Sequence, residues 1–368
     1  MRTLGLVIFL ALAAMTLVAS SRVVLPPPAF ADRAAPPFTS RVSIMTYNIH
    51  GLPWPVALGR DADFARIAAR LAALRRQGDS PNIVVLQEAF TTQARSIGRN
   101  AGYRYVVDGP SDMMTSPLLP SAADRRYAAA DSWLKGEGLP KFVGSGLQIL
   151  SDYPVVDTRR MVFPDFACAG YDCLANKGAM LARIRLPGQD RPVDIVTLHL
   201  NSGGASGVAN ARSNRAYQLQ IACLAAFIRA NHDPRNALFV AGDFNRGGDT
   251  TRIAALDSTY PHWVSHEPIA DAYDVAESEG LPLSPDALLS RRRARDRLFF
   301  AAGDDIGFVL RRIDATFGHS PAGTMLSDHV GYAATFSAVE PARAPHLAIA
   351  RAALRPCAGV KTCAGAAA

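Results

Sequence analysis

ALFVAGDFNRGG, residues 237–248, reads as a buried strand that ends on a carboxylate and an amide. The apolar run anchors the backbone, and Gly247-Gly248 mark a turn, so Asp243 and Asn245 are left at the rim of a sheet. Their i, i+2 spacing puts both on the same side while the segment stays extended. Three more runs have the same form. SIMTYNIHG (43–51) delivers Asn48, NIVVLQEAF (82–90) delivers Glu88, and VDIVTLHLNS (193–202) delivers His199 and Asn201. GTMLSDHVGYAATF (323–336) sets Asp328 and His329 between two apolar runs. Singly, each polar residue is a solvated rim group or a turn former. In order, each beside a strand, they describe one hydrolytic site for a hard divalent cation, built on loops held by a rigid scaffold.

The chemistry fits phosphodiester hydrolysis, which needs a cation on the phosphate oxygens, a base for water, and help for the departing alkoxide. Magnesium takes one or two carboxylates and keeps much of its water, so Glu88 is the expected ligand with Asn48 beside it. Asp243 and Asn245 are expected to orient water and bind a phosphate oxygen. His329 is the expected base, since an imidazole titrates near neutral pH. Asp328, pointing away from it, is expected on the metal side, so the carboxylate that orients the base must come from elsewhere. His199 suits phosphate contact or protonation of the leaving group.

Repeated strands with few long helices predict two sheets packed face to face with helices outside. A helix is expected at Asp63 to Arg76, with Phe64, Ile67, Ala68, Leu71 and Leu74 on one face, and another at Asn214 to Ala230. GLQILSDYPV reads as one strand. Pro110 to Pro140 reads as a long surface excursion, and Leu281 to Arg295 as a charged loop whose RRRAR run is solvated.

The order TYNIHG, LQEAF, TLHLN, GDFN and SDH resembles the endonuclease/exonuclease/phosphatase superfamily, from about Val42 to Ser337. That resemblance implies the deoxyribonuclease-I-like fold, a four-layer α-β-β-α sandwich of two packed, mainly antiparallel sheets. It implies metal ligation by Asn48, Glu88 and Asp328, and catalysis by His199, Asp243, Asn245, Asp296 and His329, with Asp296 orienting the base. FACAGYDCLANKGAMLARIRL and GLQILSDYPV resemble the secreted and neutral sphingomyelinase branch, although Asn201 stands where that family commonly has Gln. The implied activity is that of an exported Mg2+-dependent (or Mn2+-dependent) phosphodiester hydrolase of the sphingomyelinase or phospholipase-C type. Its implied substrate is a phospholipid rather than nucleic acid, with transient contact at a membrane surface and no obligate protein partner. A secreted endonuclease, a phosphoinositide or nucleotide phosphatase, and a non-enzymatic binder are the competing readings.

The first 31 residues, an Arg2 n-region and an apolar run closing on Ala29-Phe30-Ala31, read as a signal peptide, with an uncleaved membrane anchor as the alternative, and residues 32–40 as a linker. Residues 41–338 are the expected catalytic domain and 339–368 an Ala-rich tail. The protein is therefore expected to be secreted or periplasmic. Removing the leader arginines, Arg2 and Arg22, from the formal charge of +7 leaves +5 on the mature chain, a modest excess with little bearing on partners. Five cysteines in an exported chain invite disulfides, Cys168 with Cys173 and Cys357 with Cys363, leaving Cys223 as a buried hydrophobe. Lys177 reads equally as a phosphate contact or an exposed lysine. His50, His232, His262, His266, His319 and His346 read as surface or capping residues, and Trp54, Trp133 and Trp263 as core or rim packing.

Overall fold

The computed structural model describes residues 40–53, 56–264, 268–319 and 324–340, all within one compact unit. The leader, most of the linker, most of the tail, Trp54, His266, His346, Cys357 and Cys363 lie outside the described residues.

Two six-stranded sheets form the centre. The first runs β11 (Gly307–Phe317), β12 (Gly331–Val339), β1 (Arg41–Asn48), β2 (Ile83–Gln87), β4 (Gln148–Ser151) and β3 (Tyr105–Asp108). The second runs β5 (Val155–Val162), β6 (Gly178–Ile184), β7 (Val193–His199), β8 (Leu238–Asp243), β10 (Asp296–Ala301) and β9 (Ala270–Asp271). Pairing is antiparallel except at β1–β2 and β7–β8. The expected sandwich of mainly antiparallel sheets is what the chain forms.

Strand parity builds the layers. Alternate side chains of a strand face opposite ways, so Ile44, Val85, Ile195, Phe239 and Leu298 fill the space between the sheets. Met45, Val84 and Leu86 turn outward onto the helix Asp61–Gln77 through Phe64, Ile67 and Leu71. Val196, Leu198 and Val240 turn outward onto the helix Asn210–Asn231 through Tyr217, Ile221 and Leu224. Asn48, His199, Asp243 and Asp296 share the parity of the inter-sheet residues. They emerge at one end of the sandwich as its apolar filling stops.

Register aligns them. Asn48 pairs with Gln87 across the parallel β1–β2 ladder, His199 with Asp243 across β7–β8, and Asp296 with Asp243 across β8–β10.

Three readings of local structure change. The segment taken as a charged loop contains a helix, Pro285–Arg293, started by Ser284, whose side chain accepts from the Ala287 N–H, with Pro285 in the first turn. Only Asp286, Ala287 and Ser290 are buried in it, too few to give a periodic apolar face. GLQILSDYPV is not one strand: β4 ends at Ser151, and β5 begins at Val155 in the other sheet. The excursion holds a helix, Ala122–Ala128, closed by a capping box between Ser121 and Asp124. Among the described residues, no helix is long and apolar enough to cross a membrane.

Candidate active site

Asp243 is the hub. Its Oδ2 lies 3.0 Å from Asn48 Nδ2, 3.4 Å from His199 Nε2 and 3.8 Å from His329 Nε2. The Asn48 contact joins the two sheets. Asp243 Oδ1 accepts the Asn245 N–H at 2.9 Å, which closes the GDFN turn. Asn245 is held at φ +48°, uncommon for a residue with a side chain, and its Nδ2 donates to the Leu200 carbonyl.

Glu88 is the next carboxylate. It follows β2 out of parity with the inter-sheet face, and a φ of +59° at Glu88 itself accompanies its turn into the cleft. Gly51 makes that possible, because a Cβ there would run into the Glu88 carbonyl. Asn48 Nδ2 donates to Glu88 Oε1 at 2.9 Å, while the Asn48 oxygen accepts the His50 N–H. Asn48 therefore bridges two carboxylates through its amide nitrogen. Glu88 Oε2 is buried and has no hydrogen-bond partner among the described residues. A buried carboxylate oxygen left open beside Asp243 is the donor type a hard cation requires, so the residues present fit a divalent ion.

His329 is buried, and its Nδ1 lies 2.8 Å from Asp296 Oδ2. A carboxylate only accepts, so Nδ1 carries the hydrogen and Nε2 faces Asp243. Burial alone would hold this ring neutral, but the Asp296 and Asp243 carboxylates outweigh it and raise its pKa to about 10. Burial pushes Asp243 up to about 6, against the pull of His329. Asp243, Asp296 and His329 also form a cluster compact enough for a metal. The Asp296–His329 hydrogen bond already engages two of its members, so the open oxygen of Glu88 marks the better cation position.

His199 is held neutral, its pKa driven well below the ordinary value by burial and then by Lys177. Lys177 is buried, not exposed: its Nζ lies 3.0 Å from His199 Nε2, donates to the Leu200 carbonyl and pairs with Asp172. An ammonium has no lone pair, so His199 accepts through Nε2, and its Nδ1 is buried with no partner among the described residues. Asp172 also takes the Ser202 N–H, and it sits inside the loop closed by the Cys168–Cys173 disulfide, which forms as expected. Cys223 stays free and half-buried, and burial raises its thiol to about 11.

Asp328 stands apart from the hub. Its carboxylate meets His50 Nδ1 at 2.8 Å and Arg295 at 3.5 Å, and the hydrogen bond to His50 helps hold its pKa low against the opposing effect of burial. Arg293 donates to the Asp328 carbonyl. Two arginines of the RRRAR run therefore lean over the SDH segment, and His50 is a site-rim residue instead of a plain surface one. His232 is likewise buried, on Asp194. Trp263 is core and stacks on Phe244, whereas Trp133 is exposed.

Sequence reading assembled Asn48, Glu88, His199, Asp243, Asn245, Asp296 and His329, and the fold brings all seven together. It missed His50 and Asp172, and it left Lys177 undecided. Asp172 and Lys177 flank one cysteine in YDCLANKG, a hint that the disulfide loop carries charge to the site. His50 gave no such sign, because its approach depends on a left-handed turn at φ +51°.

The model of the Endonuclease/Exonuclease/phosphatase family matches residues 45–329. A sphingomyelinase of Mycobacterium tuberculosis is 25% identical over 297 residues, covering 78% of this chain and 51% of that protein, so the chain spans about half the length of the curated relatives it matches. Among solved structures, sphingomyelinase C from Streptomyces griseocarneus superposes with a TM-score of 0.54 at 20% identity, over 80% of this chain and 99% of the other. A beta toxin variant from Staphylococcus aureus with bound magnesium ions gives 0.52 at 16% identity, over 80% and 98%. These likenesses support the deoxyribonuclease-I-like sandwich.

Proposed function

The chain belongs to the endonuclease/exonuclease/phosphatase family, and from that premise we propose that it is a divalent-cation-dependent phosphodiester hydrolase acting on a phospholipid of the sphingomyelin class. The observation that carries the reading is Asp243 Oδ2 placed against Asn48, His199 and His329, with Asp296 behind His329. A cation at Glu88 would neutralise phosphate charge and polarise the ester, and magnesium is favoured by the beta toxin structure that contains it. Asn48 orients Glu88, and Asp328 completes the rim on the metal side. His329 Nε2 takes the proton of the attacking water, and Asp296 stabilises the imidazolium that results. Its raised pKa reflects the nearby Asp296 and Asp243 carboxylates, and a cation held at Glu88 would oppose their effect and favour the neutral base. Asp243 and Asn245 orient the water and a phosphate oxygen. Lys177 supplies at the phosphate the positive charge that neutral His199 lacks.

The lipid class rests on the sphingomyelinase relatives and on apolar side chains exposed around the disulfide loop. Trp133, Leu134, Phe142 and Tyr171 are exposed there, where Lys135 covers the Tyr171 ring and Phe142 donates to the Leu174 carbonyl. They suit transient contact with a membrane surface. The leader-like first 31 residues and the Cys168–Cys173 disulfide support export.

Incubating the full chain with labelled sphingomyelin and, separately, with plasmid DNA, each with magnesium and with chelator, tests this reading. Phosphocholine released only with the metal is the expected result. DNA nicking without phosphocholine release overturns the lipid assignment.

A further inference from the structure

Arg252 is one of the most buried charged side chains of the molecule, at 2% exposure, and it touches the backbone of both loops that carry the reacting groups. It lies in the first turn of the helix Thr250–Asp257, whose cap Asp249 accepts the Thr251 and Arg252 N–H groups. Its Nη1 donates to the carbonyls of Asn201 at 2.7 Å and Asn245 at 2.8 Å, and its Nη2 to the carbonyl of Ser202 at 3.0 Å. Its Nε donates to Asn214 Oδ1 at 2.7 Å, while Asn214 Nδ2 donates to both oxygens of Asp249. The guanidinium lies 4.7 Å from the centroid of Tyr217. All four hydrogen bonds go to neutral oxygens, so no directly bonded carboxylate neutralises the charge.

We propose that Arg252 is the positioning residue of this site, a buried fork that fixes the Asn245 turn against the loop after His199. The geometry supports this because the two loops leave adjacent parallel strands, β8 and β7, and past the ladder their backbone positions need another tie. The turn at Asn245 has a left-handed φ, a conformation that persists only when its surroundings over-determine it. The Asn201 and Ser202 segment carries the chain from His199 to the Ser202 N–H that Asp172 accepts. One planar group with donors on three nitrogens reaches three carbonyls and the Asn214 oxygen at once; a lysine has three donors on a single atom and cannot make all four bonds.

The role rests on the phosphodiesterase reading only for its kinetic consequence. In R252K and R252M the turnover number is expected to fall about a hundredfold with KM held within about threefold, the pattern of displaced reacting groups as opposed to lost binding. Tens of millimolar guanidinium ion added to R252A is expected to restore about tenfold of the loss, an effect that a merely destabilised fold would not show. The His199 ring and Asn245 side-chain NMR signals should shift in R252M, whether or not a substrate is known. If R252M does not fold, R252K decides, since it keeps the charge and the buried methylenes. Turnover within about threefold of wild type, with both sets of signals unmoved, overturns the proposal. If the wild type cleaves no phosphodiester, the functional reading falls, and the NMR shifts alone decide Arg252.

Discussion

Asp296 Oδ2 lies 2.8 Å from His329 Nδ1, and this contact fixes which ring nitrogen faces the hub of the site. The two come from different sheets: Asp296 opens β10, and His329 precedes β12. Both are buried, so the ion pair is poorly screened.

Asp296→Asn should therefore lower the His329 pKa from about 10, because the first of the two carboxylates that outweigh burial is gone. The sign follows for stability. The protonated ring stabilises the metal-free fold below its ordinary 6.5, and that contribution is lost as pH rises through about 10. The variant should show a flatter stability profile across that window. Ring NMR titration with urea melts at several pH values checks it, and turnover should fall by about 10²–10⁴.

Glu88→Gln should abolish cation binding while leaving the fold intact. Magnesium should raise the melting temperature of the wild type, since an ion that binds only the folded state stabilises by mass action. Calorimetric titration and thermal melts of both proteins are the measurements. An equal magnesium response in the variant would place the ion elsewhere.

Lys177→Met should raise the His199 pKa, because one of the two largest influences holding it down is removed while burial stays. Ring NMR reads this directly. The catalytic efficiency should drop by about ten- to a hundredfold as charge at the phosphate is lost.

Cys168→Ser with Cys173→Ser opens a loop with a sequence separation of only 5, so the stability cost should be about 2 kcal/mol. Activity should suffer more than stability, because Asp172 would lose its fixed approach to Lys177 and Ser202. Melts and turnover, compared side by side, separate the two effects.

The strands were legible because Val85 and Phe239 belong to unbroken apolar runs and Ile44 and Ile195 to mainly apolar ones, and the polar residue ending each run had to emerge at a rim. Parity then explains why Asn48, His199 and Asp243 meet. Asp296 was legible only through family resemblance, since an aspartate among arginines looks like surface. Lys177 stayed undecided, and Arg252 and His50 were missed, for a common reason: their roles depend on backbone turns and on carbonyls brought from distant loops, and no side-chain pattern encodes those. The Pro285–Arg293 helix was misread because its buried contribution is three residues.

We propose His329, set by Asp296 and facing Asp243, as the base of a phosphodiesterase. The most direct measurement is single-turnover hydrolysis of sphingomyelin by the wild type and by His329→Ala at saturating magnesium. A loss of about 10²–10⁴ in the chemical step is expected. A variant that turns over at the wild-type rate would contradict it.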